Sequence, residues 1–129
     1  MSDRAVFEYA VLRAFPDVER GESMNVGVLV WCQDRDYLGA AVEVDRERLL
    51  ALAPSVDVTA VCDAVDAVQR ACMGGEDSGP ASSITKGQRF RWMTSPRSTV
   101  VQPGPVHAGL TEDPAAELER LLDRLVRVM

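Results

Sequence analysis

Three consecutive stretches near the N-terminus have the apolar pattern of β-strands and are joined by short polar connections. They are residues 5–15, 24–32 and 37–44, and apolar side chains on both faces of the first predict a largely buried strand. Because the connections are too short for a crossover helix, neighbouring strands must run antiparallel. The sequence therefore predicts a three-stranded meander. Gly27, inside the second strand, indicates a β-bulge or a close neighbour.

Two longer segments have helical periodicity. In residues 57–73, apolar side chains recur at three- and four-residue steps and form a stripe. Residues 114–127 begin with proline, which is favoured in a first turn, and place four leucines on one face. Asp45 is a predicted cap of a shorter helix between the meander and these two. We expect an α+β fold of one domain, residues 1–129, with the two longer helices covering one face of the sheet.

The part between the two longer helices is predicted to contain no helix. The sequence GGEDSGPASS, residues 74–83, is typical of a flexible loop. Residues 87–93 and 99–102 are predicted as short extended segments, with Pro96 at a turn between them. The prolines that follow predict a stiff, non-helical run up to the last helix.

Composition excludes several classes of protein. An apolar fraction of 47% excludes disorder throughout, and no apolar run reaches the roughly 18 residues that a membrane span needs. Charged residues near the N-terminus interrupt any signal-peptide core, so we expect a cytoplasmic protein. Three cysteines without a C-x-x-C pair predict buried free thiols. The net charge of −6 argues against general nucleic-acid binding.

The longest stretch without an acidic residue is the main candidate site. No Asp or Glu occurs between Asp77 and Glu112, and the stretch carries four cations: Lys86, Arg89, Arg91 and Arg97. Its charge is therefore +4, and the rest of the chain carries −10, which together give the net −6. An extended segment would direct Arg89 and Arg91 to the same face, with roots about 7 Å apart. That spacing suits a phosphate or two carboxylates. The alternative is that these arginines pair with surface acids.

Three further residues are candidates for the same or a neighbouring site. His107, the only histidine, can join the arginines in holding an anion. Glu22 and Asn25 precede Gly27, and Asn25 can reach a ligand at the sheet edge. The alternative is that both side chains fix the turn by bonding backbone N–H groups.

Known catalytic and ligand-binding motifs are missing from the sequence. It has no G-x-S-x-G elbow, no glycine-rich phosphate loop and no H-x-x-x-H pair. We therefore predict no catalytic residue, metal ligand or cofactor. Both tryptophans, Trp31 and Trp92, are expected in the core.

Three blocks together resemble a known family. They are GESMNVGVLVW, FRWMTSPRSTVVQPGPVHAGL and DPAAELERLLDRLV, at residues 21–31, 90–110 and 113–126. In order and spacing they closely resemble the bacterial family catalogued as domain of unknown function 3037. That family has no established activity. Its members look like small cytosolic proteins often encoded beside HipA-like kinases, and the resemblance therefore implies such a kinase as a partner.

Two functional hypotheses remain. The leading one is a non-enzymatic accessory or regulatory protein that binds a partner protein. The alternative is a small enzyme or binder of a phosphate-bearing ligand that uses Arg89, Arg91, Arg97 and His107. An interaction module should expose an apolar patch or a free sheet edge, whereas a ligand site should be concave with converging arginines. The sequence specifies neither the ligand nor the oligomeric state.

Overall fold

A computed structural model describes residues 3–74 and 84–127. The predicted loop at 74–83 therefore lies, apart from Gly74, outside the described residues. Nine elements follow one another within these described residues: β1 (Ala5–Ala14), β2 (Met24–Cys32), β3 (Tyr37–Val42), α1 (Arg46–Leu52), α2 (Val58–Met73), α3 (Lys86–Met93), β4 (Val101–Pro103), β5 (His107–Thr111) and α4 (Pro114–Leu125).

The sheet is built around β1, which pairs along both of its edges. On one side lies β2, followed by β3. On the other side, β5 pairs with the first half of β1 and β4 pairs with its end. All four pairings are antiparallel. The predicted meander and the α+β class are confirmed, and so are the two longer helices.

A β-bulge in β2 redistributes its side chains between the two faces. The residues of β1 that face Gly27 and Asn25 are consecutive, so Val26 is the extra residue of the bulge. Val26 therefore packs in the same core as Leu29, while Val28 turns to the opposite core. Alternate residues of β2 face opposite sides of the sheet in any case. The bulge shifts this alternation by one residue, so that Met24 and Val26 lie on the same side as Leu29.

Helices cover both faces, and the expectation that the two longer helices share one face is wrong. On one face, α1, α2 and α3 build a core with side chains that include Leu49, Val61 and Phe90. On the other face, α4 covers Phe7 and the remaining valines of β2. The physical reason is that β2 buries apolar residues on both faces, and each face needs a cover. Apolar periodicity predicts a helix but not the side of the sheet to which it binds.

The segment predicted as extended over residues 87–93 is instead the helix α3, so that prediction is wrong. Its first turn is fixed by a capping box: the Thr85 hydroxyl accepts from the Gln88 N–H at 3.2 Å, and the Gln88 side chain accepts from the Thr85 N–H at 3.0 Å. Phe90 and Met93, three residues apart, form its buried face. The helix contains no β-branched residue to oppose this choice.

The segment between α3 and α4 agrees better with the prediction of an extended, non-helical chain. The second extended segment, at 99–102, overlaps β4. The non-helical run after it contains β5, a strand that the sequence did not predict. Among the described residues, no helix is both long enough and apolar enough to cross a membrane.

Two of the three cysteines are buried in the cores. Cys32 and Cys72 are buried and free, as predicted, and Cys62 is half-buried. Burial raises the pKa of the Cys72 thiol to about 11, although the nearby charge of Arg89 acts in the opposite direction. The Cys72 thiol is therefore protonated at neutral pH.

Gly27→Ala should destabilise the protein. A Cβ at this position would lie 2.9 Å from Val42 Cγ1 and 3.1 Å from Leu12 Cδ1, with the Ala41 carbonyl oxygen at 3.0 Å. Such overpacking costs about 1–3 kcal/mol. Urea denaturation should show this loss, whereas Ser23→Ala, at an exposed position before the strand, should change stability by less than about 0.5 kcal/mol. Equal stability of wild type and Gly27→Ala would contradict the close packing at the bulge.

Candidate functional site

The cations of the acid-free stretch lie on or near α3 and point in different directions. Successive residues on a helix are rotated by about 100°, so Arg89 and Arg91 lie about 200° apart around its axis. The prediction that they share one face is wrong because it assumed a strand. Each cation of this stretch therefore has its own surroundings.

Two of the cations pair with acids from the first part of the chain. Arg91 donates two hydrogen bonds to the Glu8 carboxylate, at 2.8 and 2.6 Å, and these bonds raise the pKa of the guanidinium. The Lys86 ammonium donates to the backbone oxygen of Asp36 at 2.9 Å and to its carboxylate at 3.2 Å. Arg91, Lys86 and Asp36 line a shallow depression of about 630 Å³ beside Trp31. The positive charges of Arg91 and Lys86 are thus largely compensated within the protein.

Arg89 is turned towards the end of α2. Its Nη1 donates to the Ile84 carbonyl at 3.1 Å, and its guanidinium packs so closely on Gly74 that a Cβ there would lie 2.9 Å from Nη1. The buried Nε has no hydrogen-bond partner in the described part of the chain. The position suits a cation because a helix C-terminus carries a partial negative charge.

Arg97 and Trp92 form a separate pair on the surface. The Arg97 guanidinium lies over the indole ring, 5.3 Å from its centroid, and donates to the backbone carbonyls of Trp92 and Ser95. Within residues 3–74 and 84–127, no acidic side chain forms an ion pair with it. Trp92 is 41% exposed, so the expectation that it belongs to the core is wrong. In the helix it lies off the face formed by Phe90 and Met93.

An apolar groove opens beside this pair, between α2, α3 and β4. Its volume is about 250 Å³. Small side chains at three- and four-residue steps along α2 leave space for the groove, and residues of α3 and β4 form its other wall. Its apolar lining residues, besides Trp92, are Ala64, Ala67, Val68, Ala71, Met93 and Val101. We call Trp92, Arg97 and this groove the Trp92 surface. Sequence reasoning missed it, although the T-x-x-Q capping signal at Thr85 would have revealed the helix that creates it.

The remaining candidates lie elsewhere. His107 is the exposed first residue of β5, and its ring lies 5.3 Å from the ring of Tyr9. Tyr9 packs on the core beneath α4, so His107 is on the opposite face of the sheet from α3. Glu22 accepts a hydrogen bond from Arg20 within the β1–β2 connection. Asn25 donates to the Leu125 carbonyl at 2.9 Å and so ties β2 to the last turn of α4.

The structure therefore does not bring the six candidate residues into one site. Among the described residues, no group of three or more His, Cys, Asp or Glu side chains is arranged to hold a metal ion. The binding of an acidic group by residues 86–97 stays a prediction, and Arg97, which no described acidic side chain pairs with, is a cation that could take part in it.

One family model matches this chain over nearly its whole length. The model of the family described as Protein of unknown function (DUF3037) matches residues 9–126. The chain belongs to this family. No curated protein matches it, and no solved structure does. The match to DUF3037 includes the Trp92 surface and nearly the whole sheet, and the family description assigns no activity.

Thr85→Ala should weaken α3 and the surface that it carries. Loss of the capping hydroxyl leaves the Gln88 N–H unsatisfied and should cost about 1 kcal/mol, within a range of roughly 0.5–2 kcal/mol. Chemical denaturation monitored by circular dichroism measures this cost, and Ser98→Ala at an exposed position is the matched control. If both variants unfold at the same denaturant concentration as wild type, the capping box does not stabilise the helix.

Proposed function

We propose that the protein is a cytoplasmic, non-enzymatic accessory or regulatory protein that binds another protein through the Trp92 surface. The observation that carries this proposal is an exposed tryptophan stacked with an arginine that has no acidic partner among the described residues. The apolar groove beside them adds a concave space for a side chain of the partner. Exposed apolar surface of this kind was the feature expected of an interaction module.

The chemistry of the surface indicates what it would bind. Tryptophan and arginine are enriched among the residues that dominate interface energies, and they act best where a partner excludes water from them. The groove suits an apolar side chain. Arg97 would meet a carboxylate from the same partner segment, because its two backbone hydrogen bonds leave other N–H groups free. The expected partner segment therefore carries an apolar residue next to an acidic one.

The alternative, a binder of a phosphate-bearing ligand, has weaker support. Such a site requires arginines that converge on one concave point. Arg91 is held by Glu8, Arg89 faces Gly74, and His107 lies on the other face of the sheet. A ligand could recruit these residues together only after breaking existing contacts.

A HipA-like kinase is the first partner to test, since the family resemblance implies it. The wild-type protein, immobilised, should retain the partner from native cytosol, and mass spectrometry should identify both the proteins and the small molecules that are retained. The purified partner then serves for affinity measurements.

Trp92→Ala and Arg97→Glu should each weaken partner binding about 10- to 100-fold, because truncation of a central tryptophan or arginine typically costs about 2 kcal/mol or more. The control is Arg124→Glu, which makes the same charge change at an exposed position on α4, across the sheet. Wild-type affinity should also fall as salt rises.

Two results would reject the proposal. One is partner affinity that is the same for wild type, Trp92→Ala and Arg97→Glu. The other is retention of a phosphate compound, and of no protein, in a manner that depends on Arg91, which would favour the alternative.

A further inference from the structure

The edge of the sheet formed by β5 lies within an uncharged part of the chain. Residues 98–111 contain no Asp, Glu, Lys or Arg, in a protein in which 26% of residues are charged. This stretch includes β4 and β5, which pair with β1 on the same side. An edge strand without ionised side chains is unusual, because charges on the edge are a common protection against pairing with another chain.

This edge is also exposed. In the described part of the chain, β5 pairs with β1 alone. Val6 and Leu110, which lie directly opposite each other on the two strands, are 58% and 57% exposed. The other edge strand, β3, has no exposed residue, because helices on both faces cover its side chains. Among the described strands, the β5 edge therefore offers both open backbone groups and exposed apolar side chains.

We propose that a second copy of the chain pairs antiparallel with β5, so that two five-stranded sheets join into one across a two-fold axis at Gly109. In a two-fold interface each residue meets the same surface of the other copy. A charge on the axis would then meet its own copy, so a neutral edge favours association of a strongly acidic chain with itself. A different partner would more simply be selected by complementary charge.

The pattern of side chains favours an axis at Gly109, the centre of β5. Leu110 of one copy then lies opposite Ala108 of the other, on the same face as Val6, and the exposed apolar side chains cover one another. His107 lies opposite Thr111, which keeps the two histidines apart. This dimer uses neither Trp92 nor Arg97, so it does not depend on the proposed function.

The first test is the molar mass of the full chain, measured by sedimentation or light scattering. At about 100 µM, well above a micromolar dissociation constant, wild type should be a dimer. Leu110→Lys should raise the dissociation constant by about tenfold or more, because two lysines would lie close to the axis. The control, Leu50→Lys, alters a leucine on α1 that is 43% exposed and should remain a dimer. Circular dichroism verifies that both variants fold.

The second test is the register, measured by disulfide formation in a Cys62→Ser background. Ala108→Cys and Leu110→Cys proteins, when mixed, place cysteines directly opposite each other, with Cα atoms about 4.5–5.5 Å apart, within the range that a disulfide bridges. In a dimer of either variant alone, the two cysteines are offset by two residues, about 7 Å along the strand, in addition to the distance between the strands. Gly109 itself is unsuitable for a cysteine substitution, since a Cβ there would lie 2.9 Å from the Phe7 ring.

A cross-link that forms quickly only in the mixture is the expected result. A monomeric wild type at this concentration would overturn the proposal, as would a Leu110→Lys variant that remains as dimeric as wild type. Single-variant proteins that cross-link as fast as the mixture would overturn the register at Gly109.

Discussion

The whole structure depends on β1 being paired along both of its edges. A strand in this position lies at the centre of the sheet, and its neighbour β2 buries apolar side chains on both faces. Two cores result, one beneath α1, α2 and α3 and one beneath α4. The helix α3 is anchored in the first of these cores by Phe90 and Met93, and the ion pair between Glu8 and Arg91 adds a connection between α3 and β1.

The sequence predicted the long, strongly periodic elements and failed at short ones. The meander, α2 and α4 have patterns that only one structure satisfies. In α3, by contrast, Phe90 and Trp92 alternate as in a strand, while Phe90 and Met93 are spaced as in a helix, and the capping box decides between them. The strand β5 was not predicted because His107, Ala108 and Gly109 have little strand propensity and follow Pro103 and Pro105. The face to which each helix binds was set by long-range packing.

Charge counting found the segment that carries the candidate site but not its geometry. Arg91 meets an acid 83 residues away and Lys86 one 50 residues away, and no local pattern encodes such pairs. The +4 charge of the segment is consequently divided among separate contacts. Arg97 and Trp92, by contrast, are only five residues apart, and their contact is local. Exposure of the tryptophan follows from the assignment of α3 as a helix, since Phe90 and Met93 define the buried face.

The accessibility of Trp92 in the free and bound protein tests the central claim most directly. In a Trp31→Phe variant, Trp92 is the only tryptophan, and acrylamide quenching of its fluorescence measures its exposure to solvent. The free protein should be quenched strongly. Addition of the partner retained from cytosol should shift the emission to shorter wavelength and reduce the quenching constant severalfold. A Trp92 that stays as accessible in the complex as in the free protein would contradict the assignment of this surface as the binding site.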